Sequence, residues 1–325
     1  MSGEASAAKG EGTGCHRSRS ARAEGRDCYR QLKTSASMES ICLDTSYQLS
    51  LSAQSLKSRN RRGRCCPRCI VFLLDDGQVM DELGRTEVIK DCLNPAWVNL
   101  IAISYSPNNF KKLRVIIYDW VCAESDDVAE QTHLGTVDVG MTELIKLKGQ
   151  LLIHLSDGKG ILKVYCEENT HVKEEYFTLQ FGCENLEKMD LFSESDPFLI
   201  MYRKTPGQTE TFIPVYRSDV IMDKRDPIWE SFQISSKQLC NGDFDCLLKI
   251  ECYDWDSDGV HELIGSCRST LNALLLKNTV YTLSRNGTKN GTKSETGTLH
   301  VKQASVTEKN MCLSSKPVNI TKRNR

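Results

Sequence analysis

The sequence lacks three features that would assign it to a class at once: a long apolar run, a secretory signal and a strong net charge. Its longest apolar runs, such as CIVFLL at 69–74, are far shorter than the roughly 18–20 residues of a membrane-spanning helix. The formal net charge of −1 gives no overall field that attracts nucleic acid or membrane, so any such attraction must come from local patches. With 325 residues, 39% of them hydrophobic, the chain can form two separate cores.

Cysteine is abundant, but a disulfide framework is not expected. The first twenty residues, MSGEASAAKGEGTGCHRSRS, lack the apolar segment of a secretory signal, so the 15 cysteines should be reduced cytosolic thiols. CCPRC at 65–69 has the two-residue gap that zinc sites use, but no second pair at matching spacing accompanies it, which favours ordinary thiols.

Catalytic signatures are missing as well. None of the six histidines stands in a recognisable catalytic motif, and the sequence has no Gly-rich phosphate loop and no G-x-S-x-G elbow. We therefore expect a protein that is not an enzyme.

The chain instead contains one long repeat. Four stretches recur in the same order at nearly constant spacing, which indicates a tandem duplication of a domain of about 120–130 residues. The pairs are RTEVIKDCLNPAW (85–97) with RSDVIMDKRDPIW (217–229), LRVIIYDW (113–120) with LKIECYDW (248–255), HLGT (133–136) with LIGS (263–266), and GILKV (160–164) with GTLHV (297–301).

The local patterns predict strands. Leu113, Val115 and Ile117 alternate with their neighbours, as in a strand with one buried face. Turn signals such as Asn-Pro and Asp-Pro separate the strands, and the helical stretches, near 140–148 and 269–277, are short. This pattern predicts an all-β protein of two tandem antiparallel sandwiches. The Trp after each repeated proline is expected to enter a core.

Two acidic clusters in the second repeat suggest a metal site. KMDLFSESDPFL contains Asp190 and Asp196, and YDWDSDGVHELIG contains Asp254, Asp256 and Glu262. Each cluster lies where a strand ends, and if the two loops meet, five carboxylates converge. Their repulsion would be relieved by a hard cation that takes 6–8 oxygen ligands, such as Ca²⁺. Ordinary acidic loop residues are the alternative.

At these residues the sequence resembles a known family. LQFGCENLEKMDLFSESDPFLIMYR and IECYDWDSDGVHELIG are similar to the second C2 domain of the copines, and RTEVIKDCLNPAW with LRVIIYDW resembles their first. The resemblance covers roughly 46–303. It implies two eight-stranded antiparallel sandwiches with calcium loops at one end, in a cytoplasmic protein that binds phospholipid membranes, the plasma membrane among them, when calcium rises.

The resemblance also sets domain boundaries. We expect a disordered N-terminal arm at 1–45, a first C2 domain at 46–168, a second at 174–303, and a disordered basic tail at 304–325. Copines continue into a von Willebrand A-type domain with a metal-dependent adhesion motif, and this sequence is expected to lack it.

Two departures from the family pattern concern the calcium sites. The last acidic position, usually Asp, is Glu262 in the second domain. In the first domain Asn60 and Cys66 replace the two loop-one acids, and Asp119 remains in loop three, with Val121 at the next ligand position and His133 at the last. The first site is therefore expected to be degenerate.

Two groups of residues are candidates for membrane contact. Arg59, Arg61, Arg62 and Arg64 lie in the first domain's loop one, where each could contribute about 1 kcal/mol at an anionic surface. The alternative is a spacer or protein-binding domain. Leu191 and Phe192 lie between the loop-one Asp residues of the second domain. They either fold back onto the sandwich or enter lipid once calcium has bound.

The sequence thus leaves two functional hypotheses. The first is a calcium-dependent membrane-binding protein whose second domain is the sensor. The second is a calcium-independent adaptor for cytosolic proteins that keeps the copine framework. Anionic phospholipid is the expected partner in the first case, and nucleic acid in neither.

Overall fold

The computed structural model describes most of the chain between residues 45 and 307. The described ranges are 45–58, 64–75, 77–106, 112–121, 125–169, 174–189, 194–207, 210–286 and 293–307. They belong to one compact unit, Cys42–Arg325. Within these ranges, sixteen strands and three short α-helices form two consecutive domains of eight strands each.

The first domain is a sandwich of two four-stranded antiparallel sheets, with strand orders β4-β1-β8-β7 and β3-β2-β5-β6. Its elements are β1 (Thr45–Gln54), β2 (Pro67–Asp75), β3 (Gln78–Arg85), β4 (Ile101–Tyr105), β5 (Lys112–Asp119), β6 (Thr132–Gly140), α1 (Met141–Leu147), β7 (Gln150–His154) and β8 (Ile161–Glu168), with 3-10 turns at Val128–Glu130 and Ser156–Gly158.

The second domain repeats this order, but its strands form one curled sheet, β11-β10-β13-β14-β15-β16-β9-β12. The pair Ser266–Ser284 joins the two halves, which in the first domain are separate. The elements are β9 (Tyr176–Glu184), β10 (Pro197–Lys204), β11 (Phe212–Arg217), β12 (Phe232–Ser235), α2 (Ser236–Cys240), β13 (Leu248–Asp254), β14 (Glu262–Ser269), α3 (Leu271–Leu274), β15 (Val280–Asn286) and β16 (Lys293–Val306).

The predicted fold class, two tandem antiparallel sandwiches, is confirmed. The helices predicted near 140–148 and 269–277 correspond to α1 and α3, whereas α2 was not predicted. Strand β16 continues to Val306, beyond the predicted domain end at 303. Of the predicted N-terminal arm (1–45) only Thr45 is described, and of the predicted C-terminal tail (304–325) only residues 304–307.

The repeated string that includes Thr86 and Ser218 serves the same structural purpose in both domains. The Thr86 hydroxyl accepts a hydrogen bond from the Cys69 amide at 2.9 Å, and the Ser218 hydroxyl accepts one from the Leu199 amide at 2.8 Å. Each hydroxyl therefore ties the string to a central strand, β2 or β10. A buried backbone amide needs such a partner, and this accounts for the hydroxyl residue in both copies.

The tryptophan of each string enters a core, as predicted. Trp97 and Trp229 are buried, and their indole N–H groups donate to the carbonyls of Pro67 (3.2 Å) and Asp219 (3.0 Å). The indole thus combines a large apolar surface with a satisfied polar group.

Candidate functional site

In each domain, strand alternation places one aspartate on the core-facing side at the end of a central strand. In β13, Leu248, Ile250 and Cys252 are buried, and Asp254 occupies the next inward position with 4% of its surface exposed. In β5 the same alternation ends on Asp119, also 4% exposed. Since successive inward side chains lie two residues apart, each carboxylate is held at one end of its sandwich.

Asp254 joins the two acidic loops of the second domain. Its Oδ1 accepts a hydrogen bond from the backbone amide of Asp196, at 2.6 Å. Asp196 ends loop one, directly before β10, and Asp254 is the last residue of β13, directly before loop three. The convergence of these loops, predicted as a condition for the site, is therefore present for these two residues.

Asp223, which the sequence analysis missed, supports Asp196. The Asp223 amide donates to Oδ1 of Asp196 at 2.6 Å, and the Asp223 carboxylate accepts from the amide of Glu194 at 3.1 Å. Asp223 has a positive φ of 53°, and Asp91, its counterpart in the first string, has a φ of 46°. The repeated Asp was the available signal, because Asp tolerates this left-handed conformation better than most residues.

Asp256 and Glu262 complete the loop-three acids. Glu262 begins β14 and is the cross-strand partner of Asp254. The backbone amide of Asp256 donates to Nδ1 of His261 at 3.1 Å. Burial lowers the pKa of His261 to about 4, with a smaller effect of the nearby Arg217, so this histidine is neutral and able to accept that bond at physiological pH.

Six predicted site residues lie outside the described part of the chain. They are Asp190, Leu191, Phe192, Arg59, Arg61 and Arg62, whereas Arg64 is described and exposed. Among the side chains that the structure describes, no three of His, Cys, Asp and Glu lie close enough together to hold a metal ion.

The first domain keeps the architecture of this site with a thiol in place of a carboxylate. Oδ1 of Asp119 accepts from the Cys66 amide at 2.7 Å, which repeats the contact between Asp254 and Asp196. The backbone of Asp91 hydrogen-bonds to the Cys66 thiol, as the backbone of Asp223 does to Asp196. The loops therefore remain joined although a thiol has replaced the loop-one carboxylate.

The register corrects one sequence assignment. His133 was placed at the last ligand position of the first domain, but β6 pairs Thr132 with Asp119 in the way that β14 pairs Glu262 with Asp254. The matched stretches HLGT (133–136) and LIGS (263–266) begin one residue after Thr132 and Glu262. The match therefore did not include the two residues that correspond at the last ligand position. Thr132 brings no carboxylate and Val121 is exposed, so Asp119 is the one acid at the described positions that correspond to ligands.

Asp119→Asn is expected to stabilise the protein at neutral pH. Burial raises the pKa of Asp119 above its ordinary value of 3.8, so its charged form is disfavoured in the folded state. The folded state then binds more protons than the unfolded state between the two pKa values. Wild-type stability therefore falls as pH rises through this window, and the variant escapes the loss. Thermal unfolding should give the variant a higher melting temperature at pH 7, and the gap should close below pH 3.8. A lower melting temperature at pH 7 would contradict this.

One comparison identifies the type of both domains, and two solved structures are similar to parts of the chain. A family model described as "C2 domain" matches residues 49–155 and 179–286. BON1-C2B is 34% identical over 41% of this chain and 92% of its own, with a TM-score of 0.37. The calcium-bound pair of C2 domains of Extended-Synaptotagmin 2 is 16% identical over 81% of this chain and 98% of its own, with a TM-score of 0.32. Each family-model match falls on one of the two eight-stranded repeats.

No helix in the described part of the chain has the length and apolar character that crossing a membrane requires.

Proposed function

Because the chain belongs to the C2-domain family, whose model matches both of its repeats, we propose that it is a calcium-dependent phospholipid-binding protein of the copine type. C2 domains are in general calcium- and phospholipid-binding modules. The observation that carries the proposal is the 2.6 Å hydrogen bond from the Asp196 amide to Asp254, because it brings the two acidic loops of the second domain together.

The donor chemistry of this end of the domain fits calcium. Carboxylates are hard oxygen ligands, and Ca²⁺ accepts 6–8 of them in flexible geometry. Asp196, Asp254, Asp256 and Glu262 would close around the ion together with Asp190, since no three of the four described carboxylates lie close enough together to hold it as they stand. Bound calcium would cancel the negative charge of the loops and offer coordination positions to lipid phosphate. Glu262 is one methylene longer than Asp and still reaches a large cation.

The chain's own residues prepare this site before any ion arrives. Burial at the end of β13 fixes Asp254, and the Asp223 amide fixes the carboxylate of Asp196. Two carboxylates held in fixed positions lose less side-chain entropy on binding than mobile ones do. The second domain is therefore the proposed calcium sensor.

The first domain has a different role in this proposal. It binds no calcium, and its basic loop, with Arg59, Arg61, Arg62 and Arg64, contributes salt-sensitive attraction to anionic lipid. The protein has no catalytic activity, and it moves from the cytoplasm to the inner face of the plasma membrane when calcium rises. The copine assignment depends on the motifs of the second domain.

Co-sedimentation of the full chain with lipid vesicles tests the function. Binding to vesicles that contain phosphatidylserine is expected with calcium and should be lost with a chelator. Magnesium at equal concentration and vesicles of pure phosphatidylcholine serve as controls. Equal sedimentation with calcium and with chelator would contradict calcium-dependent binding and favour the calcium-independent adaptor.

A further inference from the structure

Loop three of the second domain, residues 255–261, is in contact with the first domain. The Leu93 amide of the first domain donates a 2.9 Å hydrogen bond to the Gly259 carbonyl at the tip of this loop. Gly259 is buried with a φ of +85°, and a Cβ there would lie 3.1 Å from Cγ of Leu93. The close approach of the two backbones therefore requires glycine at this position.

An apolar cluster extends the contact. Ala96 of the first domain packs with Phe198 and Ile200 of the second, all three of them buried. Tyr253 and Trp255 pack against the same cluster. Trp255 lies between the proposed ligands Asp254 and Asp256 in the sequence. The interface between the domains therefore extends to the segment that carries these two ligands.

Loop three is internally tied, so a restraint at Gly259 extends to both of its ends. The Gly259 amide donates to the carbonyl of Asp256 at 3.1 Å, and the Val260 amide donates to Oδ1 of Asp258 at 2.8 Å. The bond from the Asp256 amide to His261 closes the loop beside Glu262. Holding Gly259 in place therefore limits the conformations that Asp256 and Glu262 can adopt.

We propose that residues 91–96 of the first domain position loop three of the second domain for calcium binding. This inference rests on the proposed function. The first domain, which has lost its own ligands, thereby contributes to the affinity of its neighbour's site. The interface orders the loop before calcium arrives, and this lowers the entropy cost of binding. The coupling is reciprocal, so calcium strengthens the contact between the domains by the same factor.

Ala96→Gln in the full chain tests the inference. It places a polar amide against Phe198 and Ile200, which disfavours the docked arrangement. Ala102→Gln is the matched control, because Ala102 is exposed on β4. Calorimetric titration should show calcium affinity about tenfold lower for Ala96→Gln, within the usual range of coupling between sites, and unchanged for Ala102→Gln.

Hydrogen exchange at the Leu93 amide reports on the contact without relying on calcium. In the calcium-free wild type this amide should be protected, Ala96→Gln should remove the protection, and added calcium should slow the wild-type exchange about tenfold. Rapid exchange of the Leu93 amide in the wild type would overturn the inference. So would an Ala96→Gln variant whose Leu93 amide exchanges rapidly while its calcium affinity equals that of the wild type. Both outcomes leave the proposed function intact. A wild type that binds no calcium would contradict both the inference and the proposed function.

Discussion

Asp196→Asn combined with Asp254→Asn should abolish calcium-dependent binding to anionic vesicles while leaving the fold intact. Both side chains keep their size and an oxygen that can accept the amide bonds that the carboxylates now accept. The site loses two of its negative charges, and Ca²⁺ affinity depends on the number of ligand charges. Sedimentation should therefore be the same with calcium as with chelator, at the level of the chelated wild type.

The first domain supplies the matched control for this experiment. Asp119 is as buried as Asp254 and makes the same contact with a loop-one amide. Asp119→Asn should leave calcium-dependent sedimentation unchanged, because the proposed site lies in the other domain. The double variant should also melt no lower than the wild type without calcium, since charge repulsion between the loops is reduced. If its vesicle binding still responds to calcium, these carboxylates do not form the sensor.

The sequence was sufficient for the features that follow from local alternation. Burial of Leu113, Val115 and Ile117 on one face of β5 was predicted from period-two patterning, and the same period carries Asp119 to the strand end. The second domain repeats this arrangement with Asp254. Because one rule governs both domains, the duplication made the prediction stronger than either copy alone.

The strand register of β6 and the contact between the two domains could not be predicted from local alternation. The choice of Thr132 over His133 depends on a strand irregularity between Ile117 and Tyr118 that shifts the pairing by one residue. The approach of Gly259 to Leu93 joins segments from separate domains, and no periodic pattern marks such a contact. Asp223 supports Asp196 through its backbone amide, which every residue except proline possesses. The repeated Asp therefore indicated a left-handed backbone position but not a contact with the site.

The repeated string (85–97 and 217–229) also contacts loop one of its own domain. In both domains it closes against loop one through matching backbone bonds, from Cys92 to Cys65 at 2.8 Å and from Lys224 to Ser195 at 2.9 Å. In the first domain the segment that follows Asp91 also supports loop three of the second. One duplicated element therefore restrains loop one in each domain, and its first copy restrains a loop of its neighbour as well.

Arg203→Met should cost about 3–5 kcal/mol of stability, the usual result of removing one partner from a buried ion pair. Arg203, on β10 of the second domain, pairs with Glu167 on β8 of the first, and their side chains are 1% and 8% exposed. Oε1 of Glu167 also accepts from Gln48 at 2.8 Å. Without the guanidinium, this carboxylate remains buried with a single neutral donor to that oxygen.

A double-mutant cycle with a surface control measures the pair. Glu167→Gln added to Arg203→Met removes the uncompensated charge, so the double variant should recover part of the loss in urea unfolding, with a coupling energy of about 1–3 kcal/mol. Arg268→Met is the control, because Arg268 forms a two-bond pair with Glu210 in which both side chains are about half exposed. Such surface pairs contribute about 0–1 kcal/mol. Equal losses for Arg203→Met and Arg268→Met would show that the interdomain pair is solvated, and the two domains would then not be closed upon each other in solution.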